Sequence, residues 1–287
     1  MNSKIIAGIW YSLLSSFFFA VCAVFVKLAG EYCNAYFVSA LRFVIGIILT
    51  IITVKIIHAS FAITDKFSWI MRGITGSASM ITYYIAIQYS GSGKATLLSN
   101  IYPAFTALFG PIFFREKNSI TDWLAMPFCI AGAFVVFGGK GEESFIGDAL
   151  AIVSSIFAGF SVHFIRRSAQ KENPVVIYLS ACVFGLIAAP LAFGGKTIIN
   201  IQSIIFIVIV GITAFAGQIF LNYCYKNISA VKGSLLSFIK IPMTLALSWF
   251  IGEKFGMKFM AGTLLIFAGI FIAGIPKIRQ MKEDKIG

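Results

Sequence analysis

Ten apolar runs succeed one another along this chain with almost nothing between them. They fall at 5–26, 35–57, 67–89, 94–114, 121–138, 146–166, 174–193, 200–225, 230–251 and 258–276. Runs of this length, bounded by charges or turn residues, read as helices that cross a hydrocarbon core of about 30 Å. Connections such as Gly91-Ser92-Gly93 and Gly194-Gly195-Lys196 are too short to hold a soluble domain. Only 12% of the 287 residues are charged and 59% are hydrophobic, whereas a soluble domain coats itself with roughly 25% charged residues. The expected fold is an all-α integral membrane protein of ten transmembrane helices, with the lipid bilayer as its solvent. The first run follows Lys4 and resembles a signal peptide ending near Ala20-Val21-Cys22-Ala23. At about 22 residues it exceeds an h-region and is read as an uncleaved span.

The basic residues supply an orientation. With the N-terminus inside, fifteen of the 23 Lys and Arg fall on the inner side, Lys66 and Arg72 among them, and six on the outer side. Arg42 and Lys240 remain within the membrane. This bias places both termini in the cytoplasm of a bacterial inner membrane. It also accounts for the net charge of +12 without a nucleic-acid partner, since no basic face is interleaved with stacking aromatics. The five Cys are scattered without metal or disulfide spacing, and only Cys33 falls near a surface. Neither His58 nor His163 has a ligand partner at helical spacing, so no metal is expected. A hydrogen-bonded role inside its helix suits His163. The glycine-rich pieces are turns and lack the P-loop pattern, so no cofactor is expected. Trp10, Tyr11, Trp69 and Trp123 are read as anchors at the membrane interfaces.

The two halves match each other. Lys94-Ala95-Thr96-Leu97-Leu98-Ser99 reads against Lys232-Gly233-Ser234-Leu235-Leu236-Ser237, Glu116 against Glu253, Ala131-Gly132 against Ala268-Gly269, and Ser15-Ser16 against Ser154-Ser155. The offset stays between 137 and 139. Residues 1–140 then form a first repeat of five helices and 141–287 a second, with a short cytoplasmic tail. Five is odd, so the second repeat starts on the opposite side and the repeats are inverted. That architecture suits alternating access around a central site.

These paired patterns resemble the drug/metabolite transporter superfamily, in particular its EamA-type ten-helix members. The similarity is carried by Leu97-Leu98-Ser99-Asn100-Ile101-Tyr102-Pro103 running to Glu116 and Gly132, by the copy from Leu235 to Glu253 and Gly269, and by Arg42-Phe43. It implies a secondary carrier of small organic solutes that works without ATP. One position departs from the pattern: thirteen residues before the shared glutamate stands Pro103 in the first copy but Lys240 in the second, with the proline displaced to Pro242. Pro103 and Pro242 are expected to kink their helices.

Lys240 lies near the midplane of the ninth helix, where a cation costs at least about 2.5–3.5 kcal/mol and usually lines a cavity. It is expected to meet substrate, with Arg42, Tyr83, Tyr84, Asn100, Tyr102, Gln218, Asn222 and Ser237 as further candidates. Each of these polar groups could instead bond a neighbouring helix. All eleven Asp and Glu fall in loops or at helix ends, so no intramembrane carboxylate awaits a lipophilic cation. A carboxylate- or phosphate-bearing metabolite is therefore favoured as small-molecule substrate. Export of drugs or toxic metabolites, and uptake of a host metabolite such as S-adenosylmethionine, which some related carriers perform, are the alternatives. An integral membrane enzyme would need a nucleophile–base pair or metal ligands at one depth, and a channel would not exchange solute. Proton or sodium coupling and the oligomeric state are left open by the sequence.

Overall fold

The computed structural model describes residues 3–114 and 142–283, with isolated residues between 124 and 135. The fifth expected helix, 121–138, and with it Glu116 and Trp123, lies outside the described residues except for those isolated positions. Before it come α1 (Ser3–Ala29), α2 (Ala35–Ile56), α3 (Lys66–Ser90), α4 (Ser92–Ser99) and α5 (Tyr102–Phe113). After it come α6 (Glu142–Ala169), α7 (Pro174–Gly185), α8 (Ile201–Asn227), α9 (Ala230–Leu236), α10 (Lys240–Phe250) and α11 (Met257–Glu283). Among the described residues, six helical stretches are long and apolar enough to cross a membrane.

Local chemistry sets the helix starts. Asn34 caps α2 by accepting from the Phe37 N–H, Asp65 caps α3 through Ser68, and Asn200 forms a capping box with Ser203 at α8. Asn173 caps α7, which opens with Pro174 at a position where no N–H is missed. Each cap satisfies donors that the helix itself cannot and contributes about 1 kcal/mol.

Prolines divide three of the runs expected as single helices. The fourth, 94–114, breaks at Asn100–Ile101, with Pro103 in the first turn of α5. Pro103 has no N–H for the Ser99 carbonyl, and it disfavours the helical conformation of the residue before it. The ninth, 230–251, breaks in a 3-10 turn at Ser237–Ile239, just ahead of Pro242 in α10. The seventh, 174–193, leaves α geometry at Leu186 and continues as a 3-10 helix to Gly194 that contains Pro190.

The chain is turned outward. On α8, Ile201, Ile204, Ile205, Val208 and Ile212 are exposed at helical spacing, and on α2 so are Ile48, Ile51, Ile52 and Ile56. Facing inward are Ser12, Ser15 and Ser16 of α1 and Ser154, Ser155 and Ser161 of α6, all buried. This is the distribution that a lipid solvent selects. Contacts between halves are reciprocal: α1 packs along α8, α6 along α3, α2 along α7, and both parts of the fourth helix meet parts of the ninth. Exchanging the halves maps each pair onto another or onto itself, which is what a twofold relation requires.

One detail differs from expectation. Cys33, expected near a surface, is buried; its loop bridges to Thr197 and its thiol donates to the Ile198 carbonyl. Burial raises that thiol above its ordinary range. The Trp69 indole donates to the Val176 carbonyl at 3.1 Å and so ties α3 to α7.

Candidate functional site

The long helix α3 explains where the site lies. Its 25 residues span a membrane by length, yet it is not among the six apolar stretches. Arg72, Gly76, Ser79, Met80 and Tyr83 recur at helical spacing along one face, and that face lines a central cavity. Counting the part that opens outward, the cavity holds about 850 Å³ of empty space. Ser16, Phe19 and Cys22 of α1, Arg42 of α2, Ser154, Ser161 and Val162 of α6, and Gln218 and Tyr225 of α8 complete most of the wall. The broken helices contribute Ser99, Tyr102, Ser237 and Lys240.

The two breaks meet. Tyr102, in the first turn of α5, hydrogen-bonds Ser237 in the 3-10 turn of the ninth helix, and lies 3.5 Å from the Tyr225 hydroxyl. Kinking there turns backbone aside and leaves side chains of both halves converging on one space. Tyr83 bonds the Thr96 hydroxyl at 2.5 Å, and Tyr84 bonds the Cys22 sulfur at 3.0 Å.

Three cations line this space. The Lys240 ammonium sits 5.5 Å from the Phe19 ring centroid and 5.8 Å from that of Tyr83. The Arg42 guanidinium lies 5.2 Å from Tyr84 and 5.3 Å from Phe43. Cation–π contacts of this kind offset part of the desolvation cost without neutralising the charge. Arg72 donates to the Gln218 amide oxygen at 2.8 Å. Arg42 and Arg72 are each 1% exposed, and Nε and Nη1 of both have no hydrogen-bond partner. No Asp or Glu is among the described residues lining the cavity.

Of the residues proposed from sequence, Lys240, Arg42, Tyr83, Tyr84, Tyr102, Gln218 and Ser237 are brought together at the cavity. Asn100 and Asn222 are not. The Asn100 amide donates to the Thr96 carbonyl at 2.6 Å, within the helix break, and the Asn222 amide donates to the Pro174 carbonyl at 2.8 Å. His163 bonds the Thr106 carbonyl at 2.9 Å and stacks on Phe114. Arg72 was counted among the inner-side charges, but α3 carries it inward to the cavity. Its signal was available in the spacing: Arg72 and Tyr83 are eleven residues apart and share a helix face.

Acidic groups hold the ends of the bundle. At one end, Glu253 accepts from the Ser92 N–H at 2.6 Å, the Ser92 hydroxyl at 2.7 Å and the Gly93 N–H at 2.9 Å, closing α10 onto the start of α4. Gly91 adopts φ +84° there, and a Cβ on it would press against the same carboxylate, so this turn requires glycine. Asp148 of α6 pairs with Lys94 at 2.6 Å. At the other end, Asp65 binds Arg167 at 2.8 Å, and its N–H donates to Glu172 at 3.1 Å. Burial pushes the Asp65 carboxyl upward, but bonds from Ser68 and Arg167 outweigh it and hold the group below its ordinary range. Burial raises the Glu172 carboxyl.

A bundle of spanning helices around a central cavity, with two mutually packed halves, is the architecture of a membrane transport protein. The chain belongs to the EamA-like transporter family, which matches residues 6–138 and 145–275. It is 28% identical over 256 residues to Solute carrier family 35 member G1 of Mus musculus, covering 81% of this chain and 67% of that protein. It is 21% identical over 276 residues to the Pseudopaline exporter CntI of Pseudomonas aeruginosa, covering 94% and 97%. An uncharacterized transporter of Helicobacter pylori is 23% identical, covering 99% of this chain and all of that protein. One solved crystal structure superposes with a TM-score of 0.71 at 16% identity, covering 98% of this chain and 99% of the other. The protein is a multi-pass membrane protein whose family and relatives are transporters of small molecules.

Proposed function

We propose that this chain is a secondary carrier of a small organic anion, a metabolite bearing a carboxylate or phosphate. It moves its cargo across a bacterial inner membrane by alternating access, with both termini cytoplasmic. Residues 1–140 and 141–287 act as the two inverted repeats that rock about the cavity, and the kinks at Pro103 and Pro242 serve as hinges. The observation that carries this reading is the cavity charge: Lys240, Arg42 and Arg72 line it with no described carboxylate among them. Buried cations without counter-ions are costly, and an anionic cargo supplies what is missing. Lipophilic cationic drugs would find repulsion there instead.

The test is counterflow in proteoliposomes loaded with candidate metabolites. A carrier exchanges labelled solute against a saturating gradient, whereas a channel or an enzyme does not. Lys240→Ala is expected to lower the exchange of an anionic substrate at least tenfold while the protein still inserts and elutes as a folded species. Wild-type exchange in that variant would remove Lys240 from the site.

A further inference from the structure

We propose that the cavity is a two-station site for a dianion, its cargo bearing two acidic groups separated by a short chain; this rests on the anion reading above. The inference begins at Gly76. A Cβ there would overlap the Arg72 guanidinium, so the glycine leaves the space in which that guanidinium lies. Arg72 can donate five N–H bonds. The Gln218 amide oxygen accepts from Nη2, while Nε and Nη1 are buried and unpartnered at the cavity wall. This is the first station, a planar fork suited to a carboxylate or phosphate.

The second station stands further along α3. Lys240 lies over Tyr83, and Arg42 over the adjacent Tyr84 with its own Nε and Nη1 unpartnered. Seven residues separate Gly76 from Tyr83, about 10 Å of helix rise. That is a spacing of backbone positions, so the two stations are carried at different levels of α3. A charge-assisted hydrogen bond spans about 3 Å, so a cargo with two acidic groups joined by a short chain engages both stations. Four- to six-carbon dicarboxylates and short phospho-carboxylates are cargoes of that kind. A monoanion would leave one set of buried cations unanswered.

The experiment measures binding to the purified full-length protein by calorimetry and thermal shift. The probes are succinate, glutarate and adipate, with pentanoate as the monoanion and 1,5-diaminopentane as the dication. At least one dicarboxylate should bind tenfold or more tightly than pentanoate. Arg72→Gln should bring that dicarboxylate down to the level of pentanoate, and Arg72→Lys should restore part of the preference. Should Arg72→Gln not fold, Gly76→Ala keeps the charge, displaces the guanidinium, and should erode the same preference. Equal binding of pentanoate and every dicarboxylate, or no binding of any dicarboxylate, overturns the two-station proposal. Pentanoate binding that still depends on Lys240 would then leave the anion reading standing. Tighter binding of the diamine than of every acid overturns that reading as well.

Discussion

Replacing Glu253 by Gln should loosen the end of the bundle where α4 begins, the outer end in the proposed topology. The carboxylate accepts three hydrogen bonds, from the Ser92 N–H, the Ser92 hydroxyl and the Gly93 N–H. A glutamine can present its oxygen to Ser92, but its NH₂ then faces the Gly93 N–H, donor against donor. One charge-assisted bond is lost outright, and such bonds contribute about 1.5–3 kcal/mol each. The favourable placement of an anion at a helix N-terminus goes too, at about 0.3–1 kcal/mol. Glu253 is half-buried, so screening holds the total nearer the lower end, about 2 kcal/mol. If this contact forms only when that end is closed, its weakening shifts the equilibrium toward the open state by about 30-fold, at 1.4 kcal/mol per decade. The assay is labelling of a single cysteine at Ser79, inside the cavity, by an impermeant thiol reagent applied from that side. The labelling rate should rise by tenfold or more in Glu253→Gln. A control at the exposed neighbour Lys254→Gln, which removes a charge and no clasp, should leave it unchanged. An unaltered rate in folded Glu253→Gln, or an equal rise in the control, would refute the reasoning.

Two further predictions concern the opposite end and the topology. Asp65→Ala removes the α3 cap and the Arg167 partner, and should lower stability by about 1–2 kcal/mol at neutral pH. Because the folded Asp65 carboxyl is held below its ordinary value of about 3.9, its contribution is complete above that pH and lost as pH falls further. The gap in unfolding midpoint between wild type and variant should therefore persist from pH 7 to pH 5 and close below about pH 4. Gly256→Cys introduces a side chain into open space after α10. It should be labelled by an impermeant reagent from outside intact cells, and labelling only after permeabilisation would reverse the proposed orientation.

Much of this architecture could be read from the chain alone, because its causes are local. Run length against membrane thickness sets the spans, and proline chemistry sets the breaks beside Pro103 and Pro242. A lone lysine in the middle of an apolar run has few places to go, and Lys240 was legible for that reason. Other features depend on what arrives from elsewhere in the sequence. Asn100 and Asn222 look as eligible as Gln218 until the Thr96 and Pro174 carbonyls are seen within reach of their amides. Arg72 reads as a basic residue near a helix end. Only the packing of α3 against α6 and α7, with room made at Gly76, carries its guanidinium into the cavity. Periodicity determines which residues share a face. Tertiary structure decides which face meets the cavity and which polar groups are already satisfied, because a hydrogen bond needs its partner within about 3 Å and that proximity is set by other helices.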